Sequence, residues 1–292
     1  MIGFFYGLLQ LMRIPEWSKS FGNMAIAAVT AGIALGVEIE PVRFLAGFAA
    51  LALLWSGLYS LNDFTDRKAD ALHDVKKKRP IASGLVSPAA GLAFSLALIL
   101  AGFAIAFSLE SFLFLVCMAA MFINQVMYTM KPFSLKKRPA LDLVSGSLVN
   151  PIFRFYSGWV LFVPAFNAPL LMLIFVVGLQ FGGFGLYRMS SKTHEKGLGL
   201  RSSVVLFGEK NLRRLAYVSL AIAGLSYIIA CFAILPISYL FLGIAMLLPA
   251  PLYKTALKRP QEMDMRRMYW TTYAHYMAFI AGFVILYPFQ VL

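Results

Sequence analysis

The hydrophobic positions of this chain fall into nine long apolar runs, separated alternately by long charged loops and by short ones that carry almost no cation. A helix needs about 20 apolar residues to cross a bilayer. On that criterion the runs predict spans over 21–37, 43–61, 89–108, 111–128, 141–163, 168–187, 215–234, 237–257 and 270–290. The loops between them leave no room for a soluble domain, so the pattern predicts one membrane-embedded, all-α domain over residues 1–292. Residues 1–19 read differently. Apolar Phe4, Phe5, Leu8 and Leu11 precede Arg13, Glu16, Trp17 and Lys19, which suits an amphipathic helix lying in the interface better than a cleaved signal peptide.

Composition narrows the class. Hydrophobic residues make up 60% of the chain and charged residues 13%, and the mean hydropathy is +0.77. A soluble globule has about 45–50% apolar and about 25% charged residues. Disorder, a disulfide scaffold and a coiled coil are excluded. Cys117 and Cys231 both lie in apolar runs, which leaves them as packing residues and rules out a cysteine-based metal site.

The net charge of +13 raises nucleic acid as a partner until the cations are located. With the N-terminus inside, 24 of the 26 Lys and Arg residues fall in cytoplasmic segments, while the outward loops hold Arg43 with Glu38, Glu40 and Glu110. That is the positive-inside distribution, with anionic membrane lipid as the partner of the basic loops. It predicts a multi-pass integral membrane protein with a cytoplasmic N-terminus, a C-terminus on the opposite side and no nucleic-acid partner. Arg154 alone lies inside a span. An ionisable group costs at least about 2.5–3.5 kcal/mol at mid-membrane, so Arg154 is expected to face a polar cavity and to have a partner there.

The acids carry the chemistry. Asp63, Asp66, Asp70 and Asp74 fall at the cytoplasmic end of the second run, at spacings that place all four on one helical stripe. Like charges so placed repel. An all-oxygen carboxylate cluster is what Mg²⁺ prefers, together with water and phosphate oxygens. Lys76, Lys77, Lys78 and Arg79 follow at once and suit a phosphate group. The plainer alternative is a solvated loop face.

At these residues the chain resembles a family. Asn62-Asp63-x-x-Asp66-x-x-x-Asp70, followed by Arg79-Pro80-Ile81-Ala82-Ser83-Gly84, is similar to the first aspartate-rich motif of the UbiA superfamily of intramembrane prenyltransferases. The resemblance implies a nine-helix bundle, Mg²⁺ as cofactor, and Asn62, Asp63, Asp66 and Asp70 set against the diphosphate of an isoprenyl donor. It makes Asp63, Asp66 and Asp70 metal ligands, with Asp66, Asp70 and Glu195 catalytic. Tyr128, Lys136, Pro139 and Asp142 resemble the loop after the fourth helix, and Arg13-x-x-x-Trp17-x-Lys19 resembles the entry to the first, where a cation reaches the donor phosphate. Without the family, Asp142 reads as an ordinary acid at a helix N-terminus, and the Arg13 segment as an interfacial anchor.

One part departs from the family pattern. Many members carry a second aspartate-rich motif after the sixth helix, whereas here the loop reads Arg188-Met-Ser-Ser-Lys192-Thr-His194-Glu195-Lys196. Either Glu195 completes a weaker second site, or Arg188 and Lys192 contact the phosphates directly. His194 is a general base or simply solvated. This loop, Arg154 and Leu200-Arg201-Ser202-Ser203 look like the polyprenyl-phosphate phosphoribosyltransferase branch.

The leading expectation is therefore Mg²⁺-dependent transfer of an isoprenyl group from an isoprenyl diphosphate to a lipophilic acceptor at the cytoplasmic face. Its substrate-binding residues are Lys19, Asn62, Arg79, Tyr128, Lys136, Asp142, Arg154, Arg188 and Lys192, with Tyr187 a further residue of the mouth. The alternatives are a phosphoribosyltransferase using phosphoribosyl pyrophosphate, an intramembrane terpene cyclase, and a transporter or scaffold. A transporter would place paired ionisable groups at mid-membrane, and here only Arg154 lies there.

Overall fold

The computed structural model describes residues 2–72, 75–189, 192–197, 202–248 and 265–291, and among them there are helices and turns but no strand. The first helix, α1 (Ile2–Met12), stops where Arg13 enters the left-handed region at φ 50°, and a 3₁₀ turn over Ile14–Glu16 follows. The first long apolar helix, α2, then runs over Trp17–Leu35. The expected interfacial helix over 1–19 is thus two pieces. Pro15 has no N–H to continue α1 but fits the first turn of a new helix, so Trp17 and Lys19 belong to α2 instead.

Gly36, at φ 65°, ends α2 in the αL conformation that glycine adopts without strain. The next helix, α3 (Pro41–Ala71), passes well beyond the expected end of its apolar run and carries the acidic stripe on its last turns. Two serine-capped helices come next, α4 (Pro88–Ser108) and α5 (Phe112–Thr129). The hydroxyls of Ser87 and Ser111 accept from Ala90 N and Phe114 N.

The run expected over 141–163 is not one regular helix. It breaks into α6 (Leu141–Val144), a π-helical turn over Ser145–Val149, and α7 (Asn150–Trp159). Pro151 cannot donate to the preceding turn, and Ser147 Oγ donates to Leu143 O at 2.6 Å. The ladder shifts register there. Beyond it lie α8 (Leu170–Met189), the short α9 (Lys192–Gly197) and α10 (Ser203–Leu206), then α11 (Gly208–Ala233), α12 (Ser238–Ala245) and α13 (Met265–Ile285). Residues 249–257 of the expected eighth span lie outside the described residues.

Four described helices, α3, α4, α5 and α11, are long and apolar enough to cross a membrane. Of the other expected spans, α2 buries Ser18, Ser20 and Asn23 among its apolar residues, and α7 and α12 have only 10 and 8 residues. The core is formed by Met24, Leu51, Leu54, Trp55, Leu58, Phe114, Met118, Phe155 and Trp159. Outward faces of α4 and α11 expose Leu96, Leu100, Phe107, Val218, Ile222, Leu225 and Phe232, a surface suited to lipid rather than water.

Close packing is set by small residues. A Cβ on Gly158 would meet the backbone oxygen of Met24 at 2.2 Å, so α7 and α2 touch backbone to backbone there. Gly57 and Gly102 do the same for α3 and α4. At the end away from the acids, Arg43 donates to Leu161 O at 2.8 Å and to Leu109 O at 3.0 Å. The expected outward cation therefore ties loop carbonyls together.

Candidate active site

The α3 stripe places Asp63, Asp66 and Asp70 within two turns of one helix face, and each carboxylate meets a cation delivered by a different segment. Arg13, from the break after α1, donates to Asp63 Oδ1 at 2.6 Å. Arg79, from the turn after α3, bridges Asp70 Oδ2 at 2.7 Å and Asp63 Oδ1 at 3.1 Å. Lys136, on a 3₁₀ turn over Leu135–Lys137, lies 2.6 and 2.7 Å from the two oxygens of Asp66. Like-charge repulsion on the stripe is thereby offset by three cations, and Asp63 and Asp70 are buried beneath them. Burial alone would lower the pKa of the Arg13 guanidinium, but the Asp63 carboxylate, with Tyr59 and Glu16, outweighs it and raises it. Arg13 also stacks on Tyr59, 4.9 Å from the ring centroid.

Asn62 is held in the same cluster. Its Oδ1 accepts from Thr129 Oγ1 at 2.8 Å and lies 3.4 Å from Lys136 Nζ, and Thr129 also pairs with Thr65 at 2.9 Å. The end of α5 is therefore hydrogen-bonded to the acidic end of α3.

A second ionic group lies on the loop that continues from Lys136. Asp142 is fully buried and accepts from Leu143 N at 3.0 Å, from Ser203 N at 3.1 Å, from Ser203 Oγ and from Arg188 at 3.0 Å. Ser203 Oγ lies 2.8 Å from Ala140 N. This knot ties α6, α8 and α10 together.

Deeper in the bundle, Arg154 on α7 stacks over Trp55 of α3, 3.9 Å from the ring centroid. Below it runs a polar belt. Asn23 of α2 donates to Pro151 O at 3.4 Å and accepts from Gln180 of α8 and from Tyr276 of α13.

The profile of the UbiA prenyltransferase family matches residues 23–287. The chain belongs to the UbiA prenyltransferase family. Among curated relatives it is 32% identical over 177 residues to the decaprenyl-phosphate phosphoribosyltransferase of Mycolicibacterium smegmatis, covering 56% of this chain and 53% of that one. It is 30% identical over 129 residues to the protoheme IX farnesyltransferase of Bacillus mycoides, covering 43% and 40%. The chain thus spans about half the length of the curated relatives it matches. A UbiA homolog from Archaeoglobus fulgidus, solved with GPP and Mg²⁺ bound, superposes with a TM-score of 0.76 at 18% identity over 97% of this chain and 99% of that one. That likeness establishes the UbiA fold.

Within this UbiA bundle, Asn62, Asp63, Asp66, Asp70, Arg79 and Lys136 come together as one cluster. Lys19 does not join it. It pairs with Glu16 one turn away on its own segment, because the break at Arg13 gives Arg13 the position over Asp63. Asp142 is not open to a substrate either, since protein donors already occupy it. Lys192 pairs with Glu209 at 3.7 Å. Tyr128 is half-buried on α5 beside Thr129, and Thr129 is the residue that hydrogen-bonds Asn62. The side chains of Glu195, His194 and Tyr187, and all of Asp74 and Arg201, lie outside the described residues. Thr129, Trp55 and Tyr59 were not singled out by sequence. All three lie on apolar or small-residue stretches, where no motif distinguishes them.

The donor set is oxygen-only, carboxylates with one amide, and suits Mg²⁺, which commonly takes one or two carboxylates plus waters and substrate phosphates. Among the described residues no three acidic, histidine or cysteine side chains converge as a ready-made metal cage. The carboxylates are turned onto Arg13, Arg79 and Lys136 instead. An ion would be shared with the phosphates of a substrate.

Proposed function

We propose that this protein is an integral membrane prenyltransferase that moves an isoprenyl group from an isoprenyl diphosphate to a lipophilic acceptor at the acidic end of α3. The observation that carries the reading is the shell of Arg13, Arg79 and Lys136 around Asp63, Asp66 and Asp70. Such a cluster is charge-balanced when empty and holds three cations where a diphosphate would lie. Asp63, Asp66 and Asp70 would hold Mg²⁺, which supplies neutralisation of the charge that grows on the leaving diphosphate. Arg79 and Lys136 would donate to the phosphate oxygens, Arg13 would fix Asp63, and Asn62 would be oriented by Thr129. Cations already in place need no reorganisation as charge develops, so they stabilise the transition state more than the bound donor. The packed apolar bundle would keep water from the electrophile until the acceptor attacks. The reading includes a single bundle of nine spans with a cytoplasmic N-terminus, which the segregation of cations supports.

A second reading is transfer of a phosphoribosyl group from phosphoribosyl pyrophosphate to a polyprenyl phosphate. Two observations favour it: the relative at 32% identity bears that activity in its name, and the last turn of α8 and the start of α9 carry basic Arg188 and Lys192 where a second run of aspartates would stand. Purified protein with Mg²⁺, incubated separately with isoprenyl diphosphates and phosphoribosyl pyrophosphate plus candidate acceptors, distinguishes the two by product mass. Asp66→Ala serves as the control. Turnover of either donor that persists in Asp66→Ala would exclude this cluster as the site.

A further inference from the structure

Arg154 is 5% exposed and Trp55 3% exposed, and they form one stacked pair in the interior. Each carries an unspent donor, because Arg154 Nε and Trp55 Nε1 are buried with no hydrogen-bond partner. Among the described residues Arg154 also has no ion-pair partner. Its polar neighbours are Tyr59, with which it hydrogen-bonds, Glu16, which already pairs with Lys19, and Tyr276, so the Nε donor is the part of the guanidinium left without a partner. A buried unsatisfied donor costs about 1–3 kcal/mol and a charged one more, and an unpaired cation within an apolar bundle is costlier again. Two such donors side by side are what remains when the group that satisfies them is an oxyanion brought in from outside.

Position supports this. Trp55, Tyr59, Asp63, Asp66 and Asp70 follow one another at spacings of three and four, so they share one face of α3. Arg13 stacks on Tyr59 and bonds Asp63, and Arg154 stacks on Trp55. Asp63 lies two turns, about 12 Å, along the axis from Trp55. One polar column thus leads from the acidic mouth into the apolar bundle and reaches Arg154.

We infer that the Arg154–Trp55 pair is a second anion site, built for the oxyanion head of the lipophilic acceptor, whether a lipid monophosphate or an apolar carboxylate. The inference rests on the acceptor-transfer reading given above and adds the class of acceptor. The cation over the indole ring supplies charge, and the two N–H donors supply direction. The remainder of the acceptor lies in apolar surroundings. A neutral acceptor of the same size would leave the same two donors unsatisfied, and rejection on that ground is strong.

The test measures the thermal midpoint of purified full-length protein in detergent, titrated with dodecyl monophosphate, dodecanoate or dodecanol. A ligand that binds only the folded state raises the midpoint. The expected result is a rise with one or both anions and none with the alcohol, with the larger rise identifying phosphate or carboxylate as the head group. Arg154→Gln is expected to weaken that binding at least tenfold, Trp55→Phe to weaken it less, and Arg154→Lys to retain part of it. Asp66→Ala is expected to lose the shift given by an isoprenyl diphosphate with Mg²⁺ while keeping the shift given by the anion. Equal shifts with alcohol and anions, or anion binding lost in Asp66→Ala and retained in Arg154→Gln, would overturn the inference. Loss of the donor shift in Arg154→Lys with the anion shift intact would instead count against the donor-site reading. If Arg154→Gln does not fold, Arg154→Lys and Trp55→Phe carry the comparison, and unchanged anion affinity in both overturns it.

Discussion

Replacing Arg79 by Gln separates the structural from the chemical duty of the cation shell. Arg79 is one quarter exposed and bridges two carboxylates that are 3% and 5% exposed, at 3.1 and 2.7 Å. Breaking a fully buried pair by removing one partner costs about 3–5 kcal/mol, because the other charge is left uncompensated. Here the exposed quarter of Arg79 lets solvent screen the loss, and Arg13 still holds Asp63. The expected penalty is therefore about 2 kcal/mol, which lowers the thermal midpoint by about 4–8 °C for a chain of this order of size.

The penalty should depend on conditions. Measured in chelator it is at its full size, whereas Mg²⁺ supplies the missing positive charge and should restore most of the lost midpoint, giving Arg79→Gln a larger Mg²⁺ shift than the parent. Turnover is not restored in the same way, since a donor to the leaving diphosphate is gone, and kcat/KM should fall about 10²–10³-fold. Thermal unfolding in detergent with and without Mg²⁺, alongside a product assay, reads both quantities. A variant that melts with the parent in chelator, or that keeps parental kcat/KM, would refute the argument that this cation both balances the acids and serves the reaction.

Four further outcomes follow from the same geometry. Lys136→Met should reduce kcat/KM at least about 100-fold and free Asp66, which a product assay at subsaturating donor would show. Asp142→Asn should cost about 3–5 kcal/mol, because Arg188 then faces a neutral group inside the protein, and the thermal midpoint should fall accordingly. Gly158→Ala must push α7 away from Met24, so it should lose about 1–3 kcal/mol, read as a lower midpoint. Arg43→Ala removes two donors at the far end of the bundle and should lower the midpoint while leaving kcat/KM unchanged in the same product assay.

The apolar pattern located the helices well where it is long and unbroken. The run over 89–108 matches α4 to within one residue. It was least informative where backbone constraints override hydrophobicity. At Pro15 and Pro151 the missing N–H breaks an apolar stretch that periodicity reads as continuous, which yields the two-piece entry and the π turn. The apolar run stops before α3 does for the opposite reason. Hydropathy falls at the first cluster of charges, while the spacing of the acids keeps the helical period, and the helix continues to Ala71 where its carboxylates find partners.

The site divides along the same line. An acidic stripe at spacings of three and four is a local feature and can be read from one segment of sequence. Of its cations only Arg79 lies on that segment, since Arg13 and Lys136 lie 50 and 70 residues from the carboxylates they meet. Lys19 looks as suitable as Arg13 in sequence, and only the left-handed turn at Arg13 decides between them. Asp142 looks like a ligand because it is an acid near a basic loop, yet it is consumed in packing α6 against α8 and α10. Because the three cations around α3 arrive from three separate segments, the charge balance of the acids exists only once those segments have docked. Assembly of the bundle and assembly of the donor site are therefore one event, and a packing change that displaces a segment carrying one of these cations, such as Gly158→Ala against the α2 helix that follows Arg13, should weaken donor binding as well as the fold.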